Sequence, residues 1–365
     1  MKEIKNIISA YDAIDKEHVS CALATVVNVE ASSYRRIGAR MLVQSTGIWT
    51  GGISGGCLEG DALKRSQKAI FKNEVSRVVY DTMEDDANQI GVGLGCNGRI
   101  EVLFVPIDFE DPSNPIETLR DILQKDKAQI LVQIIDAEKD LQIGKSIAAA
   151  SLEHAPDFCQ IETAQLKELV HETRLLQRPQ VVELKNKDDQ EVKVLVEFIR
   201  PATRIIIIGD NYDVRSMVNF CQELSWKITI VGRVKKLSKD IFVKAEKILE
   251  FEDIEQIKTD EYTAVVFMTH DYNWDKKLIP HVFNRELPYI GMLGPRKRLE
   301  KLDQEIDEFN LLHTIHLYSP IGLDIGAETP EEIALSVCSE IIAVFRQRSG
   351  MHLKHREGPI HDRVS

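Results

Sequence analysis

Arg204-Ile-Ile-Ile-Ile-Gly209-Asp-Asn-Tyr-Asp-Val214 is the stretch on which the fold turns. Four successive isoleucines with no polar interruption read as a strand buried on both faces, as parallel sheets require. The run stops on a glycine, and an apolar-periodic helix follows over 214–224. Strand, glycine turn and helix in that order open a Rossmann-type unit. Further strands are expected at Lys227–Val231, 264–270 and 289–293, alternating with helices, so the expected architecture is a parallel sheet wrapped by helices. Thr329-Pro-Glu-Glu sets a capping threonine, a first-turn proline and a reciprocal glutamate ahead of a final helix over 333–344.

The turn departs from the dinucleotide fingerprint G-x-G-x-x-G. Gly209 is present, but Asn211 replaces the second glycine and Val214 the third, which holds the backbone away from a pyrophosphate. The second strand ends in Gly232-Arg233, where an acidic residue would hold a ribose hydroxyl. Both departures argue against an ordinary NAD(P) site. Ligands of such sheets still sit beyond strand C-termini. Gly209, Asn211, His270, Asp271, Gly294, Arg296 and Asp324 all fall there. His270 and Asp271 read equally as a hydrogen-bonded loop pair, and the segment from Arg296 reads more simply as a solvated helix start than as a phosphate clamp.

Upstream, Pro201 marks a break, dividing the chain into an N-terminal domain over 1–200, a second over 201–350 and a tail over 351–365. The first domain is expected to be mixed α+β. Strand-like runs open at Cys21, Ala39, Arg77 and Arg99, and a helix is expected over 60–73. An acidic linker follows at 109–115, then a helix over 116–125, strands at 128–135 and Glu191–Ile199, and an otherwise helical middle. Eleven of the 20 glycines lie between Gly38 and Gly98. Such density suits either loops shaped around a ligand or tight hairpins. Two of the six cysteines sit in these turns: Cys57 in Gly55-Gly56-Cys57-Leu-Glu59, and Cys96 in Gly93-Leu-Gly95-Cys96. The other four read as core thiols. The Cys57 loop falls near a helix N-terminus, where free N–H groups favour an anion or a thiolate. Arg35, Arg36 and Arg40 lie shortly upstream and suit either an anionic ligand or an exposed hairpin.

Composition bounds the rest. At 365 residues, 43% hydrophobic and 28% charged, the chain exceeds a single small domain and can bury real cores. Its net charge of −12 has the wrong sign for general binding to nucleic acid or anionic membranes, though a local basic patch is compatible with it. No signal-peptide core and no run of about 18 apolar residues is found, so the expected location is the cytoplasm. The cysteines contain no C-x-x-C, which argues against zinc ribbons, iron–sulfur clusters and disulfide frameworks.

Six ordered blocks carry a resemblance. Ser33-Tyr-Arg-Arg-x-Gly-Ala-Arg-Met, Gly51-x-x-Ser-Gly-Gly-Cys-x-Glu-Gly, Gly93-Leu-Gly-Cys-x-Gly, Thr269-His-Asp, Tyr289-Ile-Gly-Met-Leu-Gly and Pro320-Ile-Gly-Leu-Asp-Ile-Gly-Ala-Glu-Thr-Pro-Glu-Glu resemble the XdhC/CoxI family of xanthine dehydrogenase accessory proteins. The resemblance implies an N-terminal XdhC/CoxI domain and a C-terminal Rossmann-like domain. It implies an accessory factor rather than a stand-alone oxidoreductase. Such a factor binds and protects molybdenum cofactor (molybdopterin), supports its sulfuration by a cysteine desulfurase, and delivers it to a xanthine dehydrogenase-type hydroxylase. Cys57 and Cys96 match the family's cysteine positions, either one serving as molybdenum ligand or sulfur carrier. Arg35, Arg36 and Arg40 would clamp the anion, with Gly55, Gly56, Glu59 and Gly95 shaping the loops around it. Two blocks depart from the family pattern, Gly209-Asp-Asn-Tyr for Gly-Ala-Gly-His and Gly232-Arg-Val for Asp-x-Arg. Alternatives are an NAD(P)-dependent oxidoreductase, or a scaffold that docks the dehydrogenase and the desulfurase; a homodimer is compatible with all three.

Overall fold

Antiparallel strands in the N-terminal half, the central ones buried on both faces, and continuous apolar parallel strands in the C-terminal half make two kinds of sheet in the computed structural model. The structure describes residues 1–31, 35–81, 98–138, 142–154, 158–306 and 308–357. Two compact units emerge, Met1–Pro201 and Ala202–Glu357.

The first unit runs α1 (Lys2–Asp12), β1 (Cys21–Ala31), β2 (Arg40–Gln44), β3 (Trp49–Gly51), α2 (Glu59–Lys72), β4 (Ser76–Asp81), β5 (Gly98–Pro106), α3 (Pro115–Leu123), β6 (Gln129–Ala137), β7 (Ser146–Ala148), α4 (Thr163–Leu176), β8 (Gln180–Lys185) and β9 (Glu191–Ile199). Antiparallel pairing gives a five-stranded sheet in the order β3-β2-β1-β5-β4 and a four-stranded sheet in the order β7-β6-β9-β8. Period-2 alternation decides which side chains meet which layer. Ala24, Val26, Met41, Val43, Val102 and Phe104 face α2, which buries Ala62 and Ala69 against them. From the opposite face, Val27, Leu103 and Val105 pack on Ile135 and Leu195 of the second sheet. The outer side of that second sheet receives Leu166 and Leu169 of α4.

One ion pair crosses between these sheets. Arg40 on β2 is 2% exposed, and its guanidinium meets the carboxylate of Glu197 on β9 at 2.5 and 3.3 Å. It also donates to Gly38 O at 2.8 Å. Gly38 has φ +86°, and a Cβ there would lie 2.3 Å from Glu197 Oε1, so no other residue fits. Arg77 on β4 reaches Asp136 on β6 at 2.7 Å, a second and more exposed link.

The second unit alternates as expected: β10 (Arg204–Ile208), α5 (Val214–Glu223), β11 (Lys227–Val231), α6 (Lys239–Lys244), β12 (Lys247–Leu249), β13 (Thr263–Phe267), α7 (Tyr272–Phe283), β14 (Tyr289–Met292), α8 (Arg296–Glu305), β15 (Leu317–Tyr318) and α9 (Pro330–Phe345). All six strands are parallel in the order β12-β11-β10-β13-β14-β15. Numbered within the unit this is 3-2-1-4-5-6, the Rossmann order, with its switch point between β10 and β13. Ile205 and Ile207 pack on α5 and α9, and Ile206 and Ile208 on α7, so the isoleucine run is buried on both faces. Thr329 and Glu332 form the capping box of α9. Cys21, Cys221 and Cys338 are buried core thiols, and burial pushes the Cys21 thiol up to about 12.

Two expectations change. The strand expected at 264–270 ends at Phe267, because Thr269 and Asp271 turn the chain into α7. The middle of the first unit is less helical than its composition suggests. Val181, Val182 and Leu184 form β8, a half-exposed edge strand, and the Asn186 carboxamide closes the hairpin by accepting from the amides of Asp188 and Gln190.

Breaking one side of a buried charge pair strands the other charge, at a cost of about 3–5 kcal/mol. Glu197→Gln is therefore expected to lower the urea midpoint by an amount equivalent to that range. Lys185→Ala, which removes an exposed pair with Asp189, should leave the midpoint in place.

Candidate functional site

Ile53 and Leu58 are 0% and 5% exposed, and their insertion into the core on either side throws Gly55, Gly56 and Cys57 out into solvent. Glycine is needed at Gly56, where φ is +112°. The loop is held from inside by Glu59, the first residue of α2. Its Oε1 accepts from the amides of Ile53 (3.1 Å) and Ser54 (2.8 Å), and its Oε2 from Ser54 Oγ (2.5 Å) and the Gly56 amide (2.9 Å). Ser54 Oγ in turn accepts from the Leu58 amide at 2.9 Å. Burial pushes the Glu59 carboxyl up, but these hydrogen bonds outweigh it and hold the pKa below the ordinary value.

This arrangement corrects two expectations. The sequence suggests that the loop's donors receive an external anion; those of Ile53, Ser54 and Gly56 already serve Glu59, so Glu59 builds the loop rather than touching a ligand. The amides of Gly55 and Cys57 keep no acceptor among the described residues. Arg40 is likewise removed from the anion clamp, because it is buried and spent on Glu197. Arg35 pairs with Glu3 of α1 and is half-buried; burial first, and then neighbouring Arg36, lowers its pKa, while Glu59 pulls the other way. Arg35 is therefore within electrostatic reach of the Cys57 loop. Arg36 is exposed, with no ion-pair partner among the described residues. Cys57 and the unpaired amides of Gly55 and Cys57 lie at the tip of the loop, Arg35 is within electrostatic reach of its base at Glu59, and Arg36 is the next residue along the chain. Gly95 and Cys96 lie outside the described residues.

In the second unit the crevice at the switch point is latched. Gly209 must be glycine, since a Cβ would lie 2.4 Å from Met268 O. Beyond it, Asn211 Nδ2 donates to Thr269 O at 2.8 Å, joining the loop after β10 to the loop after β13. Asp213 Oδ2 makes a second joint, 2.6 Å from His270 Nε2, with His270 held at φ +52°. The first amides of α5 are turned inward, from Val214 to Asn211 O (3.2 Å) and from Arg215 to Tyr212 O (3.4 Å). A pyrophosphate would find no glycine cradle here and would meet the Asp213 carboxylate. Where a ribose would be held, Arg233 binds Asp210, whose side chain has no exposed surface. Burial pushes the Asp210 carboxyl up, and the Arg233 hydrogen bonds more than reverse it.

His270 and Asp271 do not pair with each other, contrary to one of the sequence readings. Asp271 caps α7 by accepting from the amides of Asn273 and Trp274, and His270 turns to Asp213. Gly294 turns the chain at φ +137°, Arg296 is exposed and 3.4 Å from Glu300, and Asp324 is exposed. The residues that sequence reasoning passed over are Asp210 and Asp213, although aspartates at two of the three variable positions of a glycine turn were the available signal. Behind them a buried Thr269–Asp275–Arg298 chain supports the loop after β13; burial raises the Asp275 pKa despite the arginine.

Fold and sites together define a protein that joins a thiol-bearing loop on an antiparallel α/β unit to a Rossmann unit with a latched crevice. Residues 205–341 match the XdhC Rossmann domain, and residues 15–81 match the XdhC and CoxI family. The chain belongs to that family. It is 30% identical, over 92% of its length and 97% of the relative's, to a probable xanthine dehydrogenase subunit of Bacillus subtilis (strain 168). It is 21% identical, over 88% of its length and 82% of the relative's, to the molybdenum cofactor insertion chaperone PaoD of Escherichia coli (strain K12). A crystal structure described as a xanthine dehydrogenase from Bacillus halodurans superposes with a TM-score of 0.71 at 27% identity, covering 96% of this chain and 97% of that one. No helix among the described residues is long and apolar enough to cross a membrane.

A carboxyl whose pKa is depressed by folding contributes stability that is complete above its unfolded value, near 4.5, and is lost as the pH falls through the folded value. The urea midpoints of wild type and Glu59→Gln should therefore differ at neutral pH and converge as the pH falls below that value. In the second unit, NADH or NADPH should leave the melting temperature unchanged; a rise with either would show that the latch admits a dinucleotide.

Proposed function

We propose that this protein is an accessory factor that carries molybdenum cofactor for a xanthine dehydrogenase-type hydroxylase, protecting it, supporting its sulfuration by a cysteine desulfurase and delivering it to the apoenzyme. The observation that carries the reading is the exposed Cys57 thiol, on a loop with unpaired amides whose base at Glu59 feels the charge of Arg35. Family membership and a relative named as a cofactor insertion chaperone support it. The cargo is an anionic pterin with a phosphate and a metal-bound dithiolene. It needs cations for the phosphate, N–H donors for polar edges and a soft donor near the metal.

The chain's own residues meet those needs in part by geometry already set. Arg36 offers an uncommitted guanidinium, suited to bidentate contact with phosphate. Arg35, shared with Glu3, is oriented before the cargo arrives. Cys57 supplies one sulfur, as ligand or as sulfur carrier. Among the described residues no three His, Cys, Asp or Glu side chains converge on one point, so Cys57 acts as a single donor to a metal that brings its other ligands with it. Cys96, matching the family's second cysteine position, is the other candidate. The second unit has no part in this chemistry as a dinucleotide site, because Asn211 and Asp213 occupy the phosphate position.

The test is to purify wild type, Cys57→Ala, Cys96→Ala and Arg36→Ala anaerobically and to measure molybdopterin released from each by mass spectrometry. Loss of one soft or charge-assisted contact worth about 1.4 kcal/mol lowers retention about tenfold. Cys57→Ala and Arg36→Ala are expected to fall by at least that factor. Equal content in all four proteins would sink the reading.

A further inference from the structure

The outward face of α2 carries a pattern that the loop chemistry does not use. Gly60, Lys64, Lys68 and Phe71 recur at three- and four-residue steps along α2, which places them on one stripe, and all are exposed, as is Val75 just beyond the helix end. Phe71 is 91% exposed, although the opposite side of the helix buries Ala62, Ser66 and Ala69. Beside the helix, β3 forms the edge of its sheet. Trp49 on β3 pairs with Val43, whose side chain lies on the α2 side of the sheet, and partners directly opposite share a face. Trp49 is thus on the α2 side as well, and is 48% exposed. Gln67 Nε2 donates to Ser45 O at 3.4 Å, which fixes this flank of the helix to the turn between β2 and β3; Phe71 follows one turn later.

The charges on the stripe are of one sign. Lys64 and Lys68 have no ion-pair partner among the described residues, and Lys72 meets Glu74 only at 3.8 Å. Asp61, the acidic residue that could offset them, is taken by Arg65 and the Tyr80 hydroxyl. A basic stripe in a protein of net charge −12 stands against the field of the rest of the molecule. Two exposed aromatics beside it are a combination enriched at protein interfaces. A second copy placed on this face about a two-fold axis would set lysine against lysine. An acidic surface is what the charges select.

We propose that the outer face of α2, from Lys64 to Phe71 and flanked by Trp49, docks a protein partner that presents acidic groups around an apolar notch. The partner is the recipient molybdenum enzyme, and in that respect the proposal rests on the function given above. Phe71 enters the notch, Lys64 and Lys68 meet the carboxylates, and α2 sets the distance to the cargo. A helix of 14 residues is about 21 Å long, and this one begins at the Cys57 loop. A partner seated along it lies within one helix length of the thiol.

The test uses the full chain and the cofactor-free form of the xanthine dehydrogenase-type enzyme from the same organism. Affinity is measured by biolayer interferometry at low and raised salt for wild type, Phe71→Ser and the double variant K64E/K68E. Each variant is expected to bind the enzyme about tenfold more weakly, and the double variant should also lose the salt dependence, while molybdopterin content stays at the wild-type level. Unchanged affinity in both variants overturns the proposal, as does a wild type that does not bind the enzyme. It is also overturned if the variants lose only binding to phosphatidylserine vesicles, or only self-association in sedimentation. Weakened enzyme binding in a protein that carries no molybdopterin leaves the docking surface standing and removes the cargo reading instead.

Discussion

A guanidinium with almost no solvent contact must be met by a carboxylate, and in the first unit that requirement joins Arg40 to Glu197 across two sheets. Much else follows from it. The loop before β2 has to bring a carbonyl to the same guanidinium, which places Gly38 in a backbone conformation and a space that only glycine fills. The Arg40 amide, on the other side, donates to Glu3 of α1 at 3.0 Å, and Glu3 also holds Arg35. Arg40 thus orders the sheet interface through its guanidinium, and through its backbone amide it meets the glutamate on α1 that holds Arg35.

The second unit shows the converse, a fold retained while its usual site chemistry is replaced. Strand order, the isoleucine strand and the turn glycine are those of a dinucleotide-binding sheet. At the switch point, however, side chains bridge the loops on either side of the crevice. Asn211 and Asp213 span the crevice, and Arg233 neutralises Asp210 where a ribose would be received. The topology demands only close strand packing and a glycine at Gly209. What sits beyond the strand ends is free to diverge.

These two units differ in how far their sequences disclose them. The second was legible because its signals are local: an unbroken apolar strand, a glycine turn, a capping box whose members lie three residues apart. In the first, β1, β2, β4, β5, β6, β9, α2 and α3 were legible for the same reason, whereas α1 and the three-residue strands β3 and β7 were not. Arg40 was not, because its partner lies 157 residues away and three arginines close together look alike in a sequence. Glu59 is close in sequence to everything it binds, yet a glutamate at the end of a glycine-rich cysteine turn reads equally as a ligand contact. Only the count of donors around its two oxygens separates those readings. The strand β8 escaped notice because an edge strand with half-exposed valines lacks the apolar continuity of its neighbour β9.

The self-sufficiency of the Cys57 loop has a further consequence. Because Glu59 accepts from Ile53, Ser54 and Gly56, Ser54 accepts from Leu58, and Ile53 and Leu58 anchor both ends, the outline of the loop is set by the chain's own contacts. On the function proposed above, loading would require no folding step, exchange would be limited by contacts to the cargo rather than by motion of the chain, and any protein that distinguishes the loaded from the empty state would have to read the cargo itself.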